Sequence, residues 1–553
     1  MKLNIIYLFA APTTVLARAK CPPSGPVLPP PDLNAAKFDL LDGAIEDLLA
    51  QPEAELNWNT STTSFSVQVT SAESTLYEYH RTAPIRNSTG TGQVTADTVY
   101  RVASITKIFA SLALLREAPS ELDTPVSHFV PELQGIHRYD EITLRMLASH
   151  LGGVPRDEFF DGLRSNRLVW QVNDRPAYSD QGFTLLGFAL QNITGKNFDT
   201  LIHDSITKPL NLTSTGLTSP DLSNAIIPPG EAGVFMGYDI GNFNSAAGVY
   251  STSRDITAFM RSILGHEQLT AAQTNRWLKP AAFAGGMATA VGMPWEIFRL
   301  QNLTSDGRTV DVYAKSGDLP GYSAEVLLFP DFNISATILV AGTDAYTPTV
   351  ALMEIVIAEL VPMMDAMARD QARHLYAGTY KGTAGGRHGS LAALELAMDD
   401  GPGLVITSWT SGGKSILDTL SVLKGFAPGG IQARLYPIGE AGRWRMQVES
   451  VSSATGKEQD ASVLADMCRP WFQVDQMRYA GYAVDEFDFG IADGVVQRVT
   501  NSGLRMILAK VPKKTEPSSV KTIVDIKYSV IRMKAAKGSG GNGSEAARNA
   551  WEA

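Results

Sequence analysis

The chain has 553 residues, 44% of them hydrophobic, and a formal net charge of −10. That length exceeds what one hydrophobic core ordinarily organises, so two domains are expected, and the apolar content is that of a globular protein. The acidic balance, uninterrupted by any basic cluster, argues against nucleic acid and anionic membrane surfaces as partners.

The chain opens as an export signal over residues 1–19: Lys2 supplies the charge, Ile5 to Ala11 the apolar stretch and Ala17-Arg18-Ala19 a small-x-small cleavage site. The apolar stretch is too short to span a bilayer. Residues 20–34 are proline-rich and read as extended. The two cysteines are Cys21 and Cys468; in an exported chain they are expected to pair, tying the mature N-terminus to the C-terminal region. Glycosylation acceptor triplets at Asn59, Asn87, Asn192, Asn211, Asn302, Asn333 and Asn542 agree with a secreted location.

Ala35 to Ala50 carries helical periodicity through Phe38, Leu41, Ile45 and Leu48-Leu49. Ser64 to Thr70 alternates as a strand, and Ser74 to His80 can pair with it. An extended run, Thr98 to Val102, then gives way to a helix over Ile108 to Arg116, with Ile105, Ile108, Phe109, Leu112 and Leu115 on its packed face. At the junction lies Ser104-Ile105-Thr106-Lys107. A serine at a helix start has its Oγ near unpaired backbone N–H groups, and a lysine three residues on shares its face. An amine beside a hydroxyl is what a serine nucleophile needs. Such a tetrapeptide also arises by chance as a helix cap with a surface lysine, so its weight comes from two later segments of the chain. Pro176-Ala177-Tyr178-Ser179-Asp180-Gln181-Gly182 precedes a helical run from Phe183 to Leu190. Lys315-Ser316-Gly317-Asp318 lies among strand-like stretches, Val310 to Ala314, Gly321 to Phe329 and Ile334 to Ala341, and Met353 to Met367 reads as a closing helix. A second unit starts near Tyr376, with strands expected over Leu404 to Trp409, Arg443 to Val448, Phe487 to Ile491 and Val495 to Val499. In the tail, Gly538-Ser539-Gly540-Gly541-Asn542-Gly543 spells G-x-G-x-x-G, but no room remains for a helix and second strand, so residues 535–553 read as a flexible tail.

Ser-x-x-Lys, Tyr-Ser-Asp and Lys-Ser-Gly, in that order, resemble the three-motif set of serine β-lactamases and penicillin-binding proteins, specifically the class C and D-Ala-D-Ala-peptidase branch. The connecting text agrees. Ile142 to His150 with Gly152-Gly153-Val154-Pro155 is similar to the family's "ITIRDLLSHTSGLP" segment, and Ala246 to Asp255 to its "GGLYSTARD" segment. Leu186-Gly187, Thr194-Gly195, Pro209-Leu210 and Thr213-Ser214-Thr215 follow Tyr178 as the family's pattern does. The resemblance covers Phe38 to Leu360; Gly292 to Ile297 and the proline-rich start look like the secreted fungal β-lactamase-like proteins.

The resemblance implies an α/β (α+β) fold over residues 35–370, in which early and late strands meet in one antiparallel sheet flanked by helices around an inserted helical region. It also implies a smaller, mainly-β C-terminal domain over residues 371–534. By the same resemblance Ser104 is the nucleophile, Lys107 its neighbour and Tyr178 the general base. The backbone N–H groups of Ser104 and Asp318 form the oxyanion hole, and Asp180, Lys315, Ser316 and Gly317 complete the substrate side. A phenol titrates near 10 in water, so Tyr178 needs positive charge nearby, which Lys107 and Lys315 can supply. Two positions depart from the family. Asp180 stands where asparagine is usual and can accept but not donate a hydrogen bond when ionised, and Ser316 replaces threonine. The stretch between Leu115 and Glu121 is also shorter than the family's. His150 is expected to be structural. No H-E-x-x-H run suggests a metal, no cofactor is implied, and no G-x-S-x-G elbow suggests an α/β-hydrolase. The expected function is a secreted serine hydrolase that cleaves an ester or amide of a small molecule or short peptide through an acyl-enzyme. An acyltransferase of small-molecule biosynthesis and a non-catalytic binding protein are the alternatives.

Overall fold

A computed structural model describes residues 21–34, 36–136, 138–157, 162–163, 167–385, 389–450, 470–472 and 474–512. The export signal, Cys468, Asn542 and the glycine-rich tail therefore lie outside the described residues.

Ten strands organise the first part of the chain: β1 Ser64–Ser71, β2 Thr75–Arg81, β3 Val99–Arg101, β4 Tyr250–Thr252, β5 Ala282–Phe283, β6 Thr289–Val291, β7 Glu296–Leu300, β8 Val310–Leu319, β9 Tyr322–Phe329 and β10 Ile334–Ala341. Eight of them form one antiparallel sheet in the order β2-β1-β10-β9-β8-β7-β6-β5, while β3 and β4 pair separately. Early strand β1 lies against late strand β10, from Ser64 opposite Ala341 to Ser71 opposite Ile334. The expected meeting of early and late strands is thus observed.

β1, β9 and β10 are buried along their whole length because both faces of the sheet are covered. On one face Phe65, Val67 and Val69 pack with Leu41 and Ile45 of the helix Asp39–Leu49 and with Leu352, Val356 and Leu360 of the helix Tyr346–Tyr376. On the other, Tyr322, Ala324, Val326 and Leu328 pack into the core of the inserted helical region. That core holds the helix Thr106–Glu117, whose residues from Thr106 to Leu114 are all buried. The short link after this helix is a closed turn: the Ala118 N–H donates to Leu114 O, a 3-10 turn spans Pro119–Glu121, and Leu122 is buried.

Beyond residue 377 a second antiparallel sheet closes on itself, because Ser390–Ala397 pairs with both Gly378–Ala384 and Leu404–Ser411. Pairing on both sides leaves that strand no free edge, which is how barrels remove the aggregation hazard of an open sheet. Its interior is aromatic, with Tyr380, Trp409, Trp444, Phe487 and Phe489 buried together. The C-terminal end of the helix Tyr346–Tyr376 enters this core, with the Tyr376 ring 4.8 Å from Trp444 and 5.1 Å from Phe489. Among the described residues no helix is long and apolar enough to cross a membrane.

Candidate active site

Ser104 occupies a 3-10 turn, Ala103–Ile105, that joins β3 to the helix Thr106–Glu117. Ala103 adopts a left-handed φ of 45°, a conformation costly for a residue with a side chain. The turn is braced from several sides. Thr106 Oγ1 donates to Ala103 O at 2.6 Å and accepts from the Val249 N–H at 3.0 Å, while the Val102 N–H donates to Val249 O at 3.2 Å. Gly317 of β8 lies hard against it: a Cβ at 317 would fall 2.3 Å from Val102 O and 2.9 Å from Ser104 N. Glycine lets the third motif approach the backbone of Ser104.

Lys107 is fully buried, and its ammonium donates to Ser104 Oγ at 2.9 Å, to Asp180, and to Ala246 O at 3.0 Å. Three acceptors match the three N–H directions of an ammonium. The Asp180 carboxylate is thus a counter-ion to Lys107, with 18% of its side chain exposed. Ala246 heads the segment that continues into β4, and Thr252 caps the following helix Ser253–Leu264 by accepting from the Asp255 N–H.

Tyr178 lies between charges. Lys107 Nζ is 4.9 Å from its ring centroid, Lys315 Nζ 5.1 Å and Arg156 Cζ 5.2 Å. Among the described residues, the tyrosine meets both lysines across its ring face and not through a hydroxyl hydrogen bond. His150 stacks on it, ring centroids 4.5 Å apart, and its Nδ1 accepts from the Ser179 N–H at 3.2 Å. Burial, with the charges of Lys107, Lys315 and Arg156 added, pushes the His150 imidazole well below its usual range, so it stands neutral under the tyrosine. Ser179 caps the helix Asp180–Thr194 by accepting from the Gly182 N–H, and its own hydroxyl donates to Pro155 O.

Lys315 is also fully buried. Burial pulls its pKa down, but Glu296 and Tyr178 push it up and the net is a raised value. Asp318 is buried enough to raise its carboxyl, and its Oδ1 accepts from Ser323 Oγ at 2.6 Å.

Ser104, Lys107, Tyr178, Asp180, Lys315, Ser316 and Gly317 therefore come from three distant stretches into one site. The arrangement offers a serine hydroxyl, two buried cations and a phenol between them. Sequence reasoning assigns no role to Arg156, Glu296 or the Ala246 carbonyl, although Glu296 lies within the Gly292 to Ile297 segment that resembles the fungal proteins. The acceptor asparagines at 59, 87, 192, 211 and 302 are exposed and Asn333 is half-buried, while Cys21 is half-buried. Among the described residues no group of three or more His, Cys, Asp or Glu is placed to hold a metal. A separate cavity of about 540 Å³, lined by Asp199, His203, Thr213, Asn224 and Tyr250 among others, includes none of the residues of the Ser-x-x-Lys, Tyr-Ser-Asp and Lys-Ser-Gly motifs.

The family described as Beta-lactamase matches residues 51–354, and one described as "Beta-lactamase-like-like, C-terminal domain" matches residues 368–512. A "Beta-lactamase-like protein" of Arthroderma benhamiae is 26% identical over 90% of this chain and 96% of its own length. A "Probable hydrolase M10" of a Phoma species is 26% identical over 68% of this chain and 70% of its own. The "D-alanyl-D-alanine-carboxypeptidase/endopeptidase AmpH" of Escherichia coli is 26% identical over 44% of this chain and 71% of its own.

Proposed function

The chain belongs to the beta-lactamase family, a family of serine hydrolases that act on small substrates, and on that premise we propose that it is a secreted enzyme cleaving an ester or amide through an acyl-enzyme on Ser104. The observation that carries this reading is the fully buried Lys107 ammonium, 2.9 Å from Ser104 Oγ and paired with Asp180. With all three of its N–H groups engaged, Lys107 acts as a fixed positive charge, and the proton-accepting role falls to Tyr178.

In this mechanism Ser104 Oγ attacks the substrate carbonyl carbon while its proton passes to the Tyr178 oxygen. Lys107, Lys315 and Arg156, within 4.9, 5.1 and 5.2 Å of the Tyr178 ring centroid, supply positive charge beside this proton acceptor. The carbonyl oxygen becomes an oxyanion held by the backbone N–H groups of Ser104 and Asp318; in comparable sites the loss of one such donor costs about 3–4 kcal/mol of barrier. Tyr178 returns the proton to the departing alcohol or amine, leaving the acyl group on Ser104. Water activated by the same tyrosine then releases the acid. Capture of the acyl-enzyme by an alcohol or amine instead of water gives the transferase reading, and product analysis with added acceptors separates the two.

Intact-mass labelling with activated esters, a β-lactam and a fluorophosphonate tests the proposal. The expected result is one covalent adduct on Ser104, absent from a folded Ser104→Ala variant. Failure of every probe to label Ser104 would favour a binding protein on the same fold.

A further inference from the structure

His150 follows the short helix Leu144–Ala148 with a left-handed φ of 58°. Its N–H donates to Leu147 O at 3.2 Å, and the Leu151 N–H donates to Met146 O at 2.8 Å. This double closure of a helix end ordinarily takes glycine at the left-handed position, and a histidine there is strained. The side chain is also buried, and its Nε2 has no hydrogen-bond partner among the described residues. Because Nδ1 accepts from the Ser179 N–H, the proton of the neutral imidazole lies on that partnerless Nε2. Glycine would suit this helix end better, and an apolar ring would suit the burial better. Both features find their reason at Tyr178. The Ala177 N–H donates to His150 O at 2.9 Å and the Ser179 N–H to His150 Nδ1 at 3.2 Å, so the amides on either side of the tyrosine are held by one residue. The imidazole stacks on the Tyr178 ring, centroids 4.5 Å apart with 26° between the planes, and is backed by Phe183 at 5.2 Å. The Tyr178 hydroxyl makes no hydrogen bond among the described residues, so it is not what fixes the ring.

We propose that His150 is the positioning residue for Tyr178, holding the phenol by two flanking amide hydrogen bonds and a ring stack in the orientation that proton transfer from Ser104 needs. This deepens the Ser104 acyl-enzyme reading and rests on it. His150 exchanges no proton with the substrate and acts through the tyrosine. The two halves of the clamp come from different atoms of the same residue. The left-handed backbone aims the carbonyl at Ala177, and the ring supplies both the acceptor for Ser179 and the face for Tyr178. Asparagine tolerates the left-handed backbone and can accept from Ser179, but it has no ring to stack. Phenylalanine stacks but cannot accept. A displacement of about 1 Å at a reacting group can slow a reaction about a hundredfold, so loosening either half of the clamp is felt at Ser104.

The test measures 4-nitrophenyl acetate turnover and fluorophosphonate labelling of Ser104 in His150→Asn and His150→Phe. In both variants kcat should fall about tenfold or more while KM stays within about twofold of wild type. Thermal melts separate this from a role in folding alone. Asparagine suits the left-handed position, so the Tm of His150→Asn should stay near the wild-type value although its kcat falls. A double-mutant cycle with Tyr178→Phe then shows whether His150 acts through the tyrosine. His150→Asn should slow labelling about tenfold in the wild-type background and less than about twofold in the Tyr178→Phe background. Where His150→Asn does not fold, His150→Phe enters the same cycle. Equal slowing in both backgrounds, or wild-type kcat in a folded variant, would overturn the role of His150 and leave the acyl-enzyme reading standing. A Tyr178→Phe protein that labels at the wild-type rate would instead defeat the general-base reading, and the role of His150 with it.

Discussion

Replacing Asp180 by asparagine isolates the departure that most distinguishes this site. Asparagine keeps an oxygen for the Lys107 ammonium and adds a donor, but removes the negative charge. The geometry gives this change two consequences. Lys107 is fully buried, so loss of its counter-ion destabilises the fold. Breaking a buried pair by removing one partner costs about 3–5 kcal/mol, and the smaller end applies here because the retained oxygen still accepts and Asp180 is partly exposed. The second consequence is kinetic. A substrate carboxylate about 5 Å from Asp180, at an effective dielectric of about 20, is repelled by about 3 kcal/mol. The adjacent Lys107 charge and solvent reduce that, and one-third of it, about 1 kcal/mol, is still roughly a fivefold change in a rate ratio. The assay is kcat/KM for a neutral ester and for a carboxylate-bearing β-lactam in both proteins. The neutral ester should be preferred by the wild type, and Asp180→Asn should narrow the preference about fivefold. An unchanged ratio would mean that Asp180 does not face the substrate.

The parts of this site that can be read from the sequence are those fixed by local spacing. Ser104 and Lys107 are three residues apart, Tyr178 and Asp180 flank a helix cap, and Lys315 to Asp318 continue a strand, so order and spacing are enough to find them. What cannot be read depends on register or on the path of the backbone. Ser104 is expected at the start of an α-helix, but it sits in a 3-10 turn led by Ala103 at φ 45°, and nothing in an alanine announces a left-handed conformation. Glu296 reaches Lys315 and Ser316 because β7 pairs with β8 in the register that sets Glu296 opposite Ala314. β5 and β6, which extend that edge of the sheet, are two and three residues long, too short to alternate visibly. The closing helix is expected over Met353 to Met367 and runs from Tyr346 to Tyr376. Its last turns are held by the second core, where Ala368, Ala372 and Tyr376 are buried, and that is a tertiary effect a local pattern does not carry.

Three further outcomes are expected. Gly317→Ala should lower kcat by tenfold or more and destabilise the fold by about 1–3 kcal/mol, because its Cβ would meet backbone atoms of the nucleophile turn at 2.3 and 2.9 Å; wild-type kcat in a folded variant would mean that the turn yields freely. Secreted material should begin near Lys20 and carry a Cys21–Cys468 disulfide, worth about 6 kcal/mol on a chain-entropy estimate for so long a loop, and peptide mapping without reductant that found both thiols free would refute it. Glu325→Gln should stabilise the protein in a way that depends on pH. Burial, then Glu296, pushes the Glu325 carboxyl well above its usual range, so the native state keeps its proton where the unfolded chain releases it. The stability supplied by the neutral acid is complete below the unfolded pKa near 4.5. Above that it is lost as pH rises toward the native pKa, by up to about 1.4 kcal/mol per pH unit. Glutamine does not ionise, so urea midpoints of the variant should rise relative to wild type between about pH 4.5 and pH 7. A gap that stays constant across that window would place an ionised Glu325 in the native sheet, and the Lys315 charge would then have to be shared among more carboxylates than Glu296.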